Sequence, residues 1–400
     1  MSQSSGGRGG SGGARPFHLA GDDEIKGGRV SDVYFQRAVA ALKHADLDAR
    51  VVMEVRAGSL PDGWPWAVLV GCDEVARLFE GVPVDVDSAP EGFVFRAGDP
   101  VMTITGSYSA FGELETAALG MLCQASGIAT KSARCVAAAA GKPVFNFGAR
   151  RMHPGLAPLI ARSAYIGGCA GVATVAGAEQ LGIPPVGTIP HALILVCGDM
   201  VRALTLFDEA MPADVSRVAL VDTFSDEKRE ALAAAEALGD RLFAVRLDTP
   251  SSRRGDMLAI VREVRWELDL RGHDKVGIIV SGGLDEDSIE ELAGSCEGFG
   301  VGTCISNAPT VNFAMDIVEV DGRPIAKRGK WSGRKDLHQC PECLSTQVLP
   351  MGEKPQRCEC GGRPRAALHP LIRAGEPASA GETPQDVRDR VLAGLRILSG

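Results

Sequence analysis

Residues 276–303 read VGIIVSGGLDEDSIEELAGSCEGFGVGT: a β-rich run ending in Ser281-Gly282-Gly283, an acid-headed helical segment, and a second run ending in Gly300-Val301-Gly302-Thr303. Strand, glycine turn, helix, strand is the repeat of a parallel sheet, because parallel neighbours need a crossover of a dozen or more residues. The same rhythm runs upstream. KPVFNF (142–147), RVALVDT (217–223) and FAVRLDT (243–249) are strand-like, while DEKREALAAAEALGD (226–240) and GDMLAIVREVRWELDL (255–270) are helix-patterned. Each apolar run ends in polar or glycine-rich residues: Asn146 to Arg151, Asp222, Arg246 with Asp248, Ser281 to Gly283, and Gly300 with Gly302. An open doubly wound sheet gathers ligand groups at one switch point, whereas a (β/α) barrel gathers them from many strand ends. The pattern therefore predicts an α/β chain built on an irregular (β/α) barrel, with its chemistry on one rim.

The barrel is expected over 126–320. Before it, 17–125 reads as an N-terminal α+β domain: a capped amphipathic helix after Ser31, then RVVMEVR (50–56), WAVLVG (66–71), GFVFR (92–96) and PVMTITG (100–106), punctuated by Gly, Pro and Asp. Residues 1–16, mostly Gly and Ser, read as a disordered tail and not a signal peptide, since no apolar run follows. Residues 321–400 are expected to hold a small zinc-ribbon-like module (338–362) and a closing helix capped at Thr383, with Val387, Val391, Leu392 and Leu395 on one face.

Composition excludes several classes. With 42 basic against 51 acidic residues the net charge is −9, which argues against a whole-surface nucleic-acid or anionic-membrane binder. Eleven cysteines in 400 residues are too few for a disulfide scaffold and point to a reducing cytoplasm. No apolar run approaches the ~20 residues of a membrane span.

Several groups carry chemistry. The two glycine turns leave backbone N–H groups open to phosphate oxygens, and barrels commonly bind phosphate after their last two strands. Asp285 follows the first turn; it is read either as a helix-start charge, a ribose acceptor or the holder of a magnesium water. Phe147 with Arg150 suits a flat aromatic acid, the ring to stack and the guanidinium to fork onto a carboxylate. His191, in Gly187-Thr188-Ile189-Pro190-His191 before the strand-like ALILV, is read as a structural donor, a proton shuttle or a nucleophile. Arg246, Asp248, Arg253, Arg254 and Asp256 suit a polyphosphate with its metal, or a solvated loop. The six basic residues of Arg323 to Lys335 read as a phosphate clamp, an RNA contact or a solvated face. Cys340, Cys343, Cys358 and Cys360 make two thiolate pairs on tight turns, as a tetrahedral structural zinc site requires; His338 or His369 is an alternative fourth ligand.

SDVYFQRA, EGFVFRAGDPVMTITGSY, LETAALG, NFGARRMHP, GTIPHA, VRLDTPSSRRGD, VSGGLDEDSI, FGVGT and AKRGKWSGRK, in this order over roughly 17–370, resemble the nicotinate phosphoribosyltransferase family, particularly archaeal-type members ending in a cysteine module. The resemblance implies a type II phosphoribosyltransferase that makes nicotinate mononucleotide and pyrophosphate from nicotinate and phosphoribosyl pyrophosphate, with Mg2+ and with ATP as co-substrate. It also implies a homodimer with intersubunit sites. Tyr34 then matches the aromatic that sandwiches the pyridine from the partner subunit against Phe147, with Arg150 near the carboxylate. His191 matches the histidine that ATP phosphorylates, Arg246 and Asp248 the diphosphate and ribose contacts, and Ser281, Gly282, Gly283, Gly300, Gly302 and Thr303 the 5′-phosphate and ribose grips. Ala173 stands where amide-using relatives carry an aspartate, which favours the acid. Two rivals stand beside this reading: a decarboxylating quinolinate phosphoribosyltransferase, and a non-catalytic zinc-ribbon protein binding RNA through Arg323 to Lys335.

Overall fold

The structure, a computed structural model, describes residues 17–399; the Gly/Ser tail expected over 1–16 lies outside the described residues. Six parallel strands form the central sheet, in the spatial order Gly171–Val172, Val144–Asn146, Gly298–Val301, Gly277–Ser281, Leu242–Leu247, Arg217–Leu220. Within this sheet the first strand in chain order, Val144–Asn146, thus pairs with the last, Phe299 lying opposite Val144 and Val301 opposite Asn146. A sheet whose first strand meets its last has curled back on itself, as a barrel does, instead of running outward from a switch point. The curl stops short of a ring. Its two edges are Gly171–Val172 and Arg217–Leu220, and the chain between them forms the helices Val175–Leu181, His191–Cys197 and Met200–Ala210. The architecture is therefore mixed α/β with a parallel half-barrel.

One expectation is corrected here. ALILV after His191 is helical, not a strand. Five apolar residues carry no periodicity that separates the two, and the ends decide: Pro190 sets an extended φ and ψ at the start, and Gly198 takes a left-handed φ of 71° at the stop. The crossover helices Glu227–Leu238, Met257–Leu270 and Glu286–Leu292 each begin with an aspartate, Asp226, Asp256 or Asp285, whose side chain accepts a backbone N–H of the first turn.

A second, seven-stranded sheet draws from both sides of the half-barrel in sequence: Pro100–Ser107 lies between Arg50–Ala57 and Val84–Ser88, whose other edges pair with Phe313–Val320 and His369–Arg373 respectively. The helix Glu115–Ala138 joins the two cores. Ala118 and Leu122 near its start pack with Phe95 and Phe313, while Ile128 and Cys135 further on pack with Val144 and Phe299. The final helix, Pro384–Ser399, buries Val387, Val391 and Leu395 against Val68, Ala129 and Ile166. A three-stranded sheet centred on Lys335–Gln339 carries the cysteine turns. No helix among the described residues is long and apolar enough to cross a membrane.

Candidate active site

The C-terminal ends of the half-barrel strands open on a cleft of about 1010 Å³, lined by Phe147, Arg150, Ala173, His191, Asp222, Arg246, Asp248, Ser281, Gly282, Gly283, Gly300, Gly302 and Thr303 among others. Groups far apart in sequence converge there because consecutive parallel strands all point the same way and each run stops at the same rim.

At one side lies an aromatic wall. The Phe147 backbone N–H donates to Val301 O at 2.8 Å, which extends the pairing of the first and last strands by one residue and fixes where the ring begins. The ring sits over Gly300 so closely that a Cβ there would be 2.5 Å from two ring carbons. Glycine at 300 is thus a demand of the ring as much as an anion turn. The next turn is equally tight: Gly148 donates to Asn146 Oδ1 at 3.0 Å, and a Cβ on it would meet Gly302 O and Ser306 Cβ at 2.6 Å each. Arg150 follows in a one-turn 3-10 helix at the mouth. The Arg246 guanidinium lies 5.8 Å from the Phe147 ring centroid, a cation–π contact the sequence did not reveal.

The adjoining strand ends carry the anion chemistry. Ser281 Oγ donates to Asp248 Oδ1 at 2.7 Å, and Arg246 stands 3.8 Å from Asp248 Oδ2. Gly282 takes a φ of 90°, where a Cβ would stand 3.1 Å from Asp248 O and Oδ1, and Gly283 a φ of 67°; both backbones are of the kind glycine adopts without strain, and both line the cleft. Burial lowers the Arg246 pKa, and Asp248 and Asp222 act against that. Its Nε is buried without a hydrogen-bond partner.

His191 and Asp222 form a pair, Nε2 to Oδ1 at 3.1 Å. Asp222 is almost wholly buried, its side chain 2% exposed against 38% for His191. Burial raises the carboxyl pKa, the imidazole beside it works the other way, and Asp248 adds to the rise. Its second oxygen and the Thr223 hydroxyl are buried without partners. Asp222 was visible in the sequence as a strand-end acid; its pairing with His191 was not, since 31 residues and a mis-assigned element separate them.

Other residues lie elsewhere. Tyr34, on the helix Val33–His44, is 59% exposed against Phe35 and does not line the cleft. Asp285 caps Glu286–Leu292 in a reciprocal pair with Ser288, which holds its carboxyl below the usual range, and it does not line the cleft. Within the basic run, Lys327 and Lys330 reach Asp316 at 2.8 and 2.6 Å, and Lys335 is buried on Glu54 at 3.0 Å. Three of the six cations therefore serve the seven-stranded sheet.

Two metal sites can be tested on side chains. The Sγ atoms of Cys340, Cys343, Cys358 and Cys360 lie within 4.8 Å of one another, with Cys340 to Cys360 at 3.5 Å and Cys343 to Cys358 at 3.4 Å. Sulfurs bound to zinc at ~2.3 Å in a tetrahedron stand just under 4 Å apart, so the quartet fits without a histidine. In the cleft, the unpartnered Asp222 Oδ2 and Asp248 offer the oxygen donors that Mg2+ prefers.

The family descriptions "Quinolinate phosphoribosyl transferase, N-terminal domain" and "C-terminal domain" match residues 32–126 and 128–316. The chain is 32% identical to the nicotinate phosphoribosyltransferase pncB1 of Mycobacterium tuberculosis, over 95% of this chain and 93% of that protein. A crystal structure of nicotinate-nucleotide pyrophosphorylase from Pyrococcus furiosus superposes with a TM-score of 0.95 at 50% identity, covering 97% of this chain and all of that one. Human nicotinic acid phosphoribosyltransferase, at 18% identity and a TM-score of 0.73 over 92% of this chain and 94% of its own, shares the fold.

Proposed function

The chain belongs to the nicotinate phosphoribosyltransferase family, and from that premise we propose that it transfers the 5-phosphoribosyl group of phosphoribosyl pyrophosphate to the ring nitrogen of nicotinate, releasing pyrophosphate. The observation that carries this reading is the single rim: Phe147, Arg150, both glycine turns and the Ser281–Asp248–Arg246 network line one cleft.

Breaking the C1′–oxygen bond builds positive charge on the sugar and negative charge on the departing pyrophosphate. Arg246 meets the latter, and its partnerless Nε is a donor in waiting. A magnesium ion held by Asp222 and Asp248 would supply further neutralisation at the same oxygens when bound. Asp248 accepts ribose hydroxyls, while Ser281 to Gly283 with Gly302 and Thr303 grip the 5′-phosphate. Phe147 and Arg150 hold the pyridine nitrogen in line, and Tyr34 of a second copy closes the slot in a homodimer. Little proton transfer is needed, which frees His191 for another task. It accepts a phosphoryl group from ATP, with Asp222 fixing the ring and balancing its charge, and the phosphorylated state alters affinity for phosphoribosyl pyrophosphate. The four cysteines would hold a structural zinc, apart from the chemistry of the cleft.

Phosphoribosyl pyrophosphate supplied with nicotinate, nicotinamide or quinolinate, with and without ATP, tests this directly. Pyrophosphate release with nicotinate, stimulated by ATP and no longer stimulated in His191→Ala, is expected. A second reading is decarboxylating transfer to quinolinate, favoured by the family description and by Arg151, which gives the cleft another guanidinium for a second carboxylate. Release of carbon dioxide from quinolinate would establish it. Engagement of Lys327, Lys330 and Lys335 within the chain weighs against the RNA-binding rival.

A further inference from the structure

We propose that Cys304 and Cys135 form a thiol–disulfide exchange site that reacts with small disulfides and, once closed, loosens the neighbouring anion turn. The loosening half rests on the phosphoribosyl reading of that turn; the exchange half does not.

Cys304 is the second residue of the short helix Thr303–Ser306, directly after Gly302 and Thr303 of the cleft wall. Cys135 lies fully buried near the end of the long helix Glu115–Ala138. Their Sγ atoms and a Glu286 oxygen lie within 4.8 Å of one another. Three such donors suggest a metal, but the Glu286 carboxylate is already neutralised by Lys131 and by Arg134 Nε at 2.9 Å, which leaves the two sulfurs to each other.

Their surroundings divide the labour. Cys304 is partly exposed, and its thiol is held below the usual range, first by a hydrogen bond from Cys135 and then, against burial, by the Lys131 ammonium. Cys135 is pushed upward by the same bond and by burial. Elsewhere, burial pushes Cys169 and Cys296 up to about 12, as expected of inert core thiols. Cys304 is the attacking sulfur and Cys135 the resolving one. The Cys304 thiolate attacks a sulfur of a small disulfide RSSR, whose S–S bond breaks and releases RS⁻. Cys135 then gives up its proton, attacks Cys304 Sγ and expels the second RS⁻. The protein loses two electrons and two protons, and RSSR becomes two RSH.

A disulfide bond is about 2.05 Å long, so the sulfurs close by at most roughly 2.8 Å from a separation within 4.8 Å. The long helix is anchored in both cores, whereas Thr303–Ser306 is a single turn. That turn moves, and it lies directly against the backbone at Gly148, where Gly302 O and Ser306 Cβ leave no room for a side chain. The displacement therefore reaches both the anion turn and the base of the Phe147 slot.

The test takes the full-length reduced protein, incubates it with oxidised glutathione, blocks free thiols and maps peptides by mass. A linked Cys135–Cys304 peptide, reversed by dithiothreitol, is expected, together with a mixed disulfide trapped on Cys304 in Cys135→Ser. Titration of the linked protein with phosphoribosyl pyrophosphate should show affinity about tenfold weaker than the reduced form, while Cys304→Ser keeps its affinity in the presence of oxidant. Absence of both the linked peptide and the trapped adduct overturns the exchange site. Equal affinity of linked and reduced protein overturns the loosening. Because the link is read by mass, it stands or falls even where the reduced protein shows no affinity, a result that overturns the loosening together with the phosphoribosyl reading.

Discussion

Gly300 was read in the sequence as a phosphate-turn glycine, and its contact with the Phe147 ring gives that residue a second duty. Adding one methyl at 300 places a carbon 2.5 Å from the ring, so the ring must leave the slot. Gly300→Ala should lower kcat/KM for nicotinate about 10- to 100-fold, roughly 1.4 to 2.7 kcal/mol of transition-state stabilisation, with a smaller effect on the affinity for phosphoribosyl pyrophosphate. Steady-state kinetics varying each substrate in turn separates the two. Asp222 is the complementary case, since its acidity was legible but its partner was not. Asp222→Asn keeps the shape and removes the charge that balances a phosphorylated His191. The expected outcome is loss of ATP stimulation, with transfer in its absence reduced less; an unchanged response to ATP would sink the pairing as a functional device.

The element scale explains what the sequence could and could not disclose. Apolar runs with polar ends read correctly as strands in Arg217–Leu220 and Gly277–Ser281. Gly171–Val172 was missed because two residues carry no period. His191–Cys197 was misread because its ends, and not its apolar residues, specify a helix. The helix Glu115–Ala138 opens on a carboxyl that burial, with Asp316 nearby, pushes up to about 7, Lys327 opposing. A carboxyl whose folded pKa exceeds its unfolded one contributes stability that is fully present below about pH 4.5 and lost as pH rises through about 7. Thermal unfolding measured from pH 5 to 8.5 should therefore fall more steeply for the natural protein than for Glu115→Gln. Arg162, on the helix Ala157–Ile166, ties the half-barrel to the other core through both oxygens of Glu91, at 3.1 and 2.7 Å. Arg162→Ala strands a carboxylate only 7% exposed and should cost about 3 to 5 kcal/mol in denaturant unfolding, with part of the loss restored by adding Glu91→Leu.

Across the whole molecule, the slot and the anion turns lie on one rim, yet Tyr34 sits exposed on the other core, away from the cleft. Nothing in local periodicity could have told on which side of the molecule that helix would lie, because the seven-stranded sheet is assembled from segments before and after the half-barrel. If Tyr34 acts in the cleft of a second copy, the two lesions Tyr34→Ala and Arg150→Ala damage the same site from different chains. Each variant alone should be nearly inactive. When the two are mixed and allowed to exchange subunits, half the dimers are mixed, and each mixed dimer places both lesions in one site and neither in the other. Random exchange should then restore about one quarter of the natural activity, since half the dimers carry one intact site of two. Sedimentation of the mixture checks that dimers exchange at all. Recovery absent despite proven exchange would assign Tyr34 to its own chain or to no site, and the slot would have to be closed by groups already lining the cleft.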